Sequence, residues 1–268
     1  MGSGIAQAAA QAGFSTLLYE LNPIVLEAAK NSIEINLQKL AEKGKITSEE
    51  KQKILLRIHF TGDIQSCLAD VFIEAIVEKA ELKIALFNQL AELNHSESIF
   101  ATNTSSLSVS KIAAGIMSPQ RVIGMHFFNP ATIMKLVEVV NTEHTNAQTT
   151  ETIVALAKQM GKVAVLCKDS PGFIVNRVAR PYYTESLRLV EEDQTDFLTA
   201  DKLLEATGFK MGPFKLMDLI GNDINYAVSC SGYEQLNNPE RLKPSYIQEQ
   251  KVKEGKLGKK SGEGYYQY

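Results

Sequence analysis

Two hydrophobic periods alternate along the chain up to about residue 168. Apolar runs of strand length occur at 15–21, 58–60, 71–77, 99–102, 122–127, 136–140 and 163–166. Between them lie segments with helical spacing, such as the one after Asn22-Pro23 with apolar positions at Leu26, Ile33 and Leu37. Strands that alternate with helices predict a largely parallel sheet covered on both faces, as in doubly wound Rossmann-like folds.

The pattern changes after Lys168. Strand-like runs disappear, and helical segments are predicted near 174–192, 200–207, 213–228 and 239–251. Asp169-Ser170-Pro171-Gly172 has the composition of a hinge. We therefore predict an α/β domain over residues 1–168 and an all-helical domain over residues 169–268.

The first residues are typical of a dinucleotide-binding helix. Gly2-Ser3-Gly4 opens an alanine-rich segment, and the strand that follows ends at Glu20. In dinucleotide folds the pyrophosphate lies at such a helix N-terminus, and an acid after the second strand binds the adenosine ribose. A carboxylate there repels a 2′-phosphate, which favours NAD over NADP. By itself the glycine pair is weak evidence, and an alanine-rich helix with a flexible start explains it better.

No strand precedes this helix, although the dinucleotide fingerprint begins with one. In the strand order 3-2-1-4-5-6 that first strand lies in the middle of the sheet. We therefore expect the natural protein to begin about 15 residues upstream of Met1.

Charge and cysteine content exclude several classes of function. The net charge of −3 gives no general attraction to nucleic acid or anionic lipid. Cys67, Cys167 and Cys230 are scattered, so neither a disulfide framework nor a metal site is expected. We expect reduced thiols in a cytoplasmic protein instead. No apolar run approaches the about 20 residues that span a membrane.

Polar residues that carry chemistry cluster between residues 101 and 138. One predicted strand leads into Asn103-Thr104-Ser105-Ser106, the next ends near His126, and a third contains Glu138. A histidine beside a carboxylate suits alcohol oxidation, because the imidazole takes the hydroxyl proton and the carboxylate stabilises the imidazolium. The residues alone leave open a structural histidine at the edge of the core.

Five runs carry a resemblance to a known family: NTSSLS, HFFNPATIMKLVEVV, CKDSPGFIVNR, MGPFKLMD and GKKSGEGYYQY. They resemble the short-chain L-3-hydroxyacyl-CoA dehydrogenases, in particular bacterial 3-hydroxybutyryl-CoA dehydrogenases. The resemblance implies reversible, NAD-dependent oxidation of an (S)-3-hydroxyacyl-CoA to the 3-ketoacyl-CoA. It also implies that His126 is the general base, that Glu138 is its partner, and that Ser105 and Asn176 position the substrate oxygen.

The resemblance also implies the ligand contacts. For the cofactor these are, besides Gly2 and Gly4, the residues Glu20, Glu78, Lys83, Ser105, Asn129 and Lys260. Lys39 and Lys43, with Asn36 where some relatives have serine, are the expected contacts of the CoA phosphates. The residues alone also allow Glu78 and Lys83 to be solvated at a helix start, and the CoA-side lysines to be an ordinary solvated helix face.

The expected partners are an acyl-CoA and a second copy of the chain, with no nucleic acid and no membrane. The homodimer is implied by the resemblance more than by the sequence, and the apolar positions Phe214, Leu216, Leu219 and Ile220 offer a surface for it on the helical domain. The alternative of another class is a non-catalytic structural or ligand-sensing relative on the same scaffold. Such a protein would not need the four residues Ser105, His126, Glu138 and Asn176.

Overall fold

A computed structural model describes residues 1–268. The chain divides into two compact units, Met1–Asp169 and Ser170–Tyr268. None of the helices is both long enough and apolar enough to cross a membrane.

Helices and strands alternate in the first unit. Its helices are α1 (Gly2–Gln11), α2 (Pro23–Glu42), α3 (Ser48–Leu56), α4 (Ala80–Leu93), α5 (Val109–Ala114) and α6 (Ala147–Gln159). Its strands are β1 (Thr16–Tyr19), β2 (Ile58–Thr61), β3 (Val71–Glu74), β4 (Ile99–Thr102), β5 (Val122–Phe127), β6 (Leu136–Asn141) and β7 (Val163–Lys168). Every predicted strand is present, within a few residues of its expected bounds.

The strands form two hydrogen-bonded sheets. β1 pairs with β2 in parallel, and β3 to β7 form a five-stranded sheet in chain order. All neighbours in the larger sheet are parallel except β5 and β6, which are antiparallel. The largely parallel, Rossmann-like sheet is thus confirmed. In the doubly wound order the central strand would join these two groups, whereas β1 and β3 are not paired here.

Local chemistry explains where two helices begin. The Asn22 side chain accepts a hydrogen bond from Ile24 N at 2.9 Å, and Pro23 occupies the first turn, where no N–H partner is needed. Thr47 and Glu50 form a reciprocal capping box at the start of α3.

The second unit is helical, as predicted. Its helices are α7 (Val175–Glu191), α8 (Phe197–Ala206), α9 (Pro213–Ile220), α10 (Asn222–Gln235) and α11 (Tyr246–Lys253).

Three predictions about the second unit are wrong. The helix expected from residue 239 begins only at Tyr246, after a short 3-10 helix at Glu240–Leu242. The single helix expected over 213–228 is broken at Gly221, whose φ of +105° lies outside the right-handed helical region. Phe214 is not part of a dimer surface, because it is fully buried against Tyr183, Leu187 and Met217. Leu219 is 51% exposed and stays on the surface.

Candidate active site

His126 and Glu138 face each other across two strands. Antiparallel pairing of β5 with β6 makes them direct partners in register, so both side chains lie on the same face of the sheet. His126 Nδ1 lies 2.8 Å from Glu138 Oε2. The fold thus brings together the two residues that were expected to act as a pair.

The pair is buried. The side chain of His126 is 7% exposed and that of Glu138 1% exposed. The Phe128 ring packs on the imidazole with its centroid 4.6 Å away. With Nδ1 bonded to the carboxylate, the ring orientation is fixed, and Nε2 is the nitrogen through which the ring would exchange a proton with a substrate. A buried carboxylate also stabilises the positive charge that such an exchange creates.

Glu78 organises the loop that contains Ser105. Its Oε1 accepts hydrogen bonds from the Thr104 hydroxyl, from Ser105 N at 3.1 Å and from Ser106 Oγ at 3.0 Å. Burial would raise the pKa of the Glu78 carboxyl, but the Thr104 hydrogen bond and the Lys83 charge outweigh it, so this pKa lies below its usual value. Glu78 therefore holds the loop as a carboxylate.

Lys83 is 1% exposed, which excludes a solvated position at the helix start. Its Nζ lies 2.7 Å from Glu74 Oε1 and 3.2 Å from Glu78 Oε2. Thr102 Oγ1 donates to the other oxygen of Glu74 at 2.8 Å. The two residues expected at the cofactor, Glu78 and Lys83, are thus in direct contact, and both are linked to the end of β4.

Glu74 was not among the residues expected at the site. The residue ends β3 within an otherwise apolar run and is 4% exposed. A charge inside a buried strand needs a partner, and this is the signal in the sequence that could have identified it. The partner itself, Lys83, becomes apparent only once α4 is placed against the sheet.

The expected dinucleotide residues lie at the start of α1 and after β1. Met1 is the N-cap of α1 and makes no side-chain capping hydrogen bond, so no side chain caps the first-turn N–H groups. A Cβ added at Gly4 would lie 3.5 Å from the Cβ of Ala131, which places the start of α1 beside the segment that follows β5. Glu20 is half-buried and accepts a hydrogen bond from Asn22 N at 2.9 Å.

The other expected contacts in this unit are exposed. Asn129 follows β5 in a surface segment. Asn36 and Lys39 lie on the outer face of α2, and Lys43 ends that helix. Neither lysine forms an ion pair within the protein, so both ammonium groups are available to anionic ligands.

Asn176 and Lys260 belong to the second unit. Asn176 is the second residue of α7 and is half-buried. Lys260 lies in the C-terminal tail, and its Nζ donates to Asp223 Oδ2 at 2.7 Å. The tail is anchored by the buried Asp218, whose carboxylate accepts hydrogen bonds from Tyr265 N and Tyr266 N, both at 3.0 Å.

Two family models together account for nearly the whole chain. Residues 1–170 match the 3-hydroxyacyl-CoA dehydrogenase NAD binding domain, and residues 172–268 match the C-terminal domain of the same enzymes. The chain belongs to the 3-hydroxyacyl-CoA dehydrogenase family. The resemblance described above is therefore confirmed, as is NAD as the cofactor of the first domain.

Individual members of the 3-hydroxyacyl-CoA dehydrogenase family match over the full length of the chain. The 3-hydroxyadipyl-CoA dehydrogenase of Escherichia coli K12 is 45% identical, and the chain spans 57% of its length. A crystal structure of 3-hydroxybutyryl-CoA dehydrogenase from Escherichia coli K12 superposes with a TM-score of 0.96 at 45% identity, again with 57% of that chain covered. The (S)-3-hydroxybutyryl-CoA dehydrogenase structure from Ralstonia eutropha superposes with a TM-score of 0.96 at 33% identity, with 95% of that chain covered.

Proposed function

We propose that this protein oxidises (S)-3-hydroxyacyl-CoA to 3-ketoacyl-CoA with NAD, reversibly, and that His126 is its general base. The observation that carries the proposal is the buried 2.8 Å contact between His126 Nδ1 and Glu138 Oε2. Family membership supports the same reaction class.

His126 would take the proton of the 3-hydroxyl group through Nε2 as the carbon–hydrogen bond at carbon 3 breaks. Glu138 holds the ring in place and stabilises the imidazolium that results. In the reverse direction the protonated ring returns its proton to the ketone oxygen. Ser105 and Asn176 are proposed to position that oxygen by hydrogen bonds.

The residues of the first unit fit NAD. The first-turn N–H groups of α1 carry no side-chain cap and suit a pyrophosphate, and Glu20 after β1 suits ribose hydroxyls. When bound, NAD supplies the acceptor for the hydride from carbon 3. Glu78, Lys83 and Asn129, with Lys260 of the second unit, are proposed as its further contacts.

Lys39 and Lys43 are proposed to bind the CoA nucleotide. Both are exposed and lack an ion-pair partner in the protein, and they lie one turn apart at the end of α2. The neighbouring Asn36 is the third proposed contact. Replacing both lysines by glutamine should raise KM for the CoA thioester and leave KM for a pantetheine thioester of the same acid unchanged.

The relatives are named for two different acyl groups. One relative is named for 3-hydroxyadipyl-CoA, and two structures are named for 3-hydroxybutyryl-CoA. The adipyl group differs in carrying a second, distal carboxylate. The substrate of this chain therefore has a short acyl group, with or without a distal acid.

NADH formation from NAD tests the reaction directly. We expect turnover with (S)-3-hydroxybutyryl-CoA or (S)-3-hydroxyadipyl-CoA, none with free 3-hydroxybutyrate, and NADH consumption with acetoacetyl-CoA. His126→Ala should lower kcat by about 10²- to 10⁴-fold and leave the NADH dissociation constant unchanged. Absence of turnover with every thioester, while NADH still binds, would favour the non-catalytic alternative.

Exposed apolar residues support the proposal of a homodimer formed through the helical unit. Leu219 is 51% exposed and Ile224 is 51% exposed, on consecutive helices of that unit. All three cysteines are free thiols, which supports the proposal of a cytoplasmic location. Light scattering during size-exclusion chromatography measures the oligomeric state directly.

A further inference from the structure

Arg180 carries a charge that the second unit buries without an acidic partner. It is 7% exposed, and its guanidinium forms no ion pair with any carboxylate of the chain. Nη1 donates to Asn225 O at 3.1 Å and to Ser229 Oγ at 2.8 Å, and Nε lies 3.4 Å from Asn176 O. All of these acceptors are neutral, and Nη2 makes no hydrogen bond.

Burial of an unpaired charge is unfavourable, because neutral acceptors replace only part of its hydration. Burial accordingly lowers the pKa of the Arg180 guanidinium. The Tyr183 ring, with its centroid 4.8 Å from the guanidinium carbon, compensates in part through its π face. The chain therefore provides no anion that would neutralise the charge of Arg180.

Asn225 gives a second, independent sign of a missing acceptor. It is 2% exposed, and its Nδ2 is buried without any hydrogen-bond partner. Its Oδ1 accepts from Gln248 Nε2 at 3.2 Å, which fixes the orientation of the amide. The Asn225 amide thus has a buried donor without an acceptor, and Nη2 of the contacting Arg180 donates no hydrogen bond within the chain. A carboxylate has the oxygen atoms to accept from both.

The position of Arg180 on α7 relates this donor pair to the substrate. It follows Asn176, the residue proposed at the substrate oxygen, by four positions, so both lie on one face of the helix. One turn rises by about 5.4 Å. This rise is comparable with the distance that a few carbon–carbon bonds span between the hydroxyl carbon and the distal acid of a six-carbon dicarboxylic acyl group.

We propose that Arg180, together with Asn225, binds the distal carboxylate of the substrate, so that the enzyme acts on dicarboxylic 3-hydroxyacyl-CoA thioesters. This inference rests on the proposed function and adds the substrate class to it. Recognition is a charge-assisted hydrogen bond from Nη2, with the Asn225 amide donating to the same carboxylate.

The test compares two thioesters of equal chain length, (S)-3-hydroxyadipyl-CoA and (S)-3-hydroxyhexanoyl-CoA, which differ only in the distal acid. We expect kcat/KM to favour the adipyl substrate on the order of 10²-fold, the effect of one charge-assisted hydrogen bond in a buried site. In Arg180→Met this preference should fall to within a few-fold of unity. The matched control is Arg188→Met on the same helix, where the side chain is 31% exposed and lies near Glu185, and it should keep the preference.

A wild-type protein that does not prefer the adipyl substrate, or a preference that survives Arg180→Met, would overturn the proposal. If Arg180→Met does not fold, competitive inhibition of the wild type by adipyl-CoA and hexanoyl-CoA decides, and equal inhibition counts against the proposal. Turnover of 3-hydroxybutyryl-CoA run in parallel keeps the two ideas distinct. If no thioester is oxidised, the proposed function itself is refuted, whereas turnover without a preference for the diacid refutes only the role of Arg180.

Discussion

Replacing Glu138 by glutamine tests whether the carboxylate, and not just its volume, supports His126. The substitution keeps the size of the side chain and a carbonyl oxygen that can still accept from Nδ1. It removes the negative charge beside a ring that, in the proposed mechanism, becomes positive during the reaction. Because the Glu138 side chain is 1% exposed, water cannot replace the lost charge.

The expected magnitude follows from the contact itself. A hydrogen bond to a charged group contributes about 1.5–3 kcal/mol. Since each 1.36 kcal/mol changes a rate tenfold, Glu138→Gln should lower kcat by about 10- to 150-fold. The KM for NAD should change little, because Glu138 is proposed to act on His126 and not on the cofactor.

Initial rates of NADH formation at saturating thioester and NAD give kcat, and NADH fluorescence titration gives cofactor affinity. Glu143→Gln is the matched control, because this glutamate follows β6 and its side chain is 79% exposed. The control should retain the wild-type rate. If Glu138→Gln kept kcat within twofold of wild type, or lost NADH binding, the paired-base mechanism would be refuted.

Three further predictions concern stability, each measured by urea unfolding. Glu74→Gln should lower the free energy of unfolding by about 3–5 kcal/mol, because it leaves the buried Lys83 ammonium without its nearest partner. The control Glu49→Gln, in an exposed i,i+4 pair, should change the free energy of unfolding by less than about 0.5 kcal/mol. An equal effect of the two would contradict the first. The pKa of Glu78 in the folded state lies below its usual 4.5, so its contribution to stability is present above pH 4.5 and is lost as the pH falls through the lower folded value. The difference in the free energy of unfolding between wild type and Glu78→Gln should therefore shrink in that pH range. A difference that does not depend on acid pH would count against this prediction. Gly221→Ala should destabilise the protein by about 1–3 kcal/mol, because the φ of Gly221 is positive. The control Gly232→Ala lies within α10, where an added Cβ meets nothing within 4 Å, and it should stabilise the protein slightly. The reverse order of the two effects would refute the conformational argument.

The sequence by itself determined the class of the fold and most element positions. Strand-length apolar runs and helical spacing are local properties, so they locate β4 and β5 within a residue. The capping box at Thr47 was readable for the same reason, since both partners lie within one turn. Helix breaks were harder to predict, because Gly221 ends α9 through a backbone angle that its neighbours in the sequence do not reveal.

Long-range contacts were decided by the tertiary structure. The sequence named His126 and Glu138, but only the antiparallel register of β5 and β6 makes them direct partners. Glu74 and Lys83 meet across nine positions because the turn after β3 places α4 over the strand ends. Arg180 reads as an ordinary helical arginine until α10 buries it against neutral acceptors. Periodicity records which side of an element faces the core, whereas the partner of a buried charge depends on how separate elements pack, and that information lies in the fold.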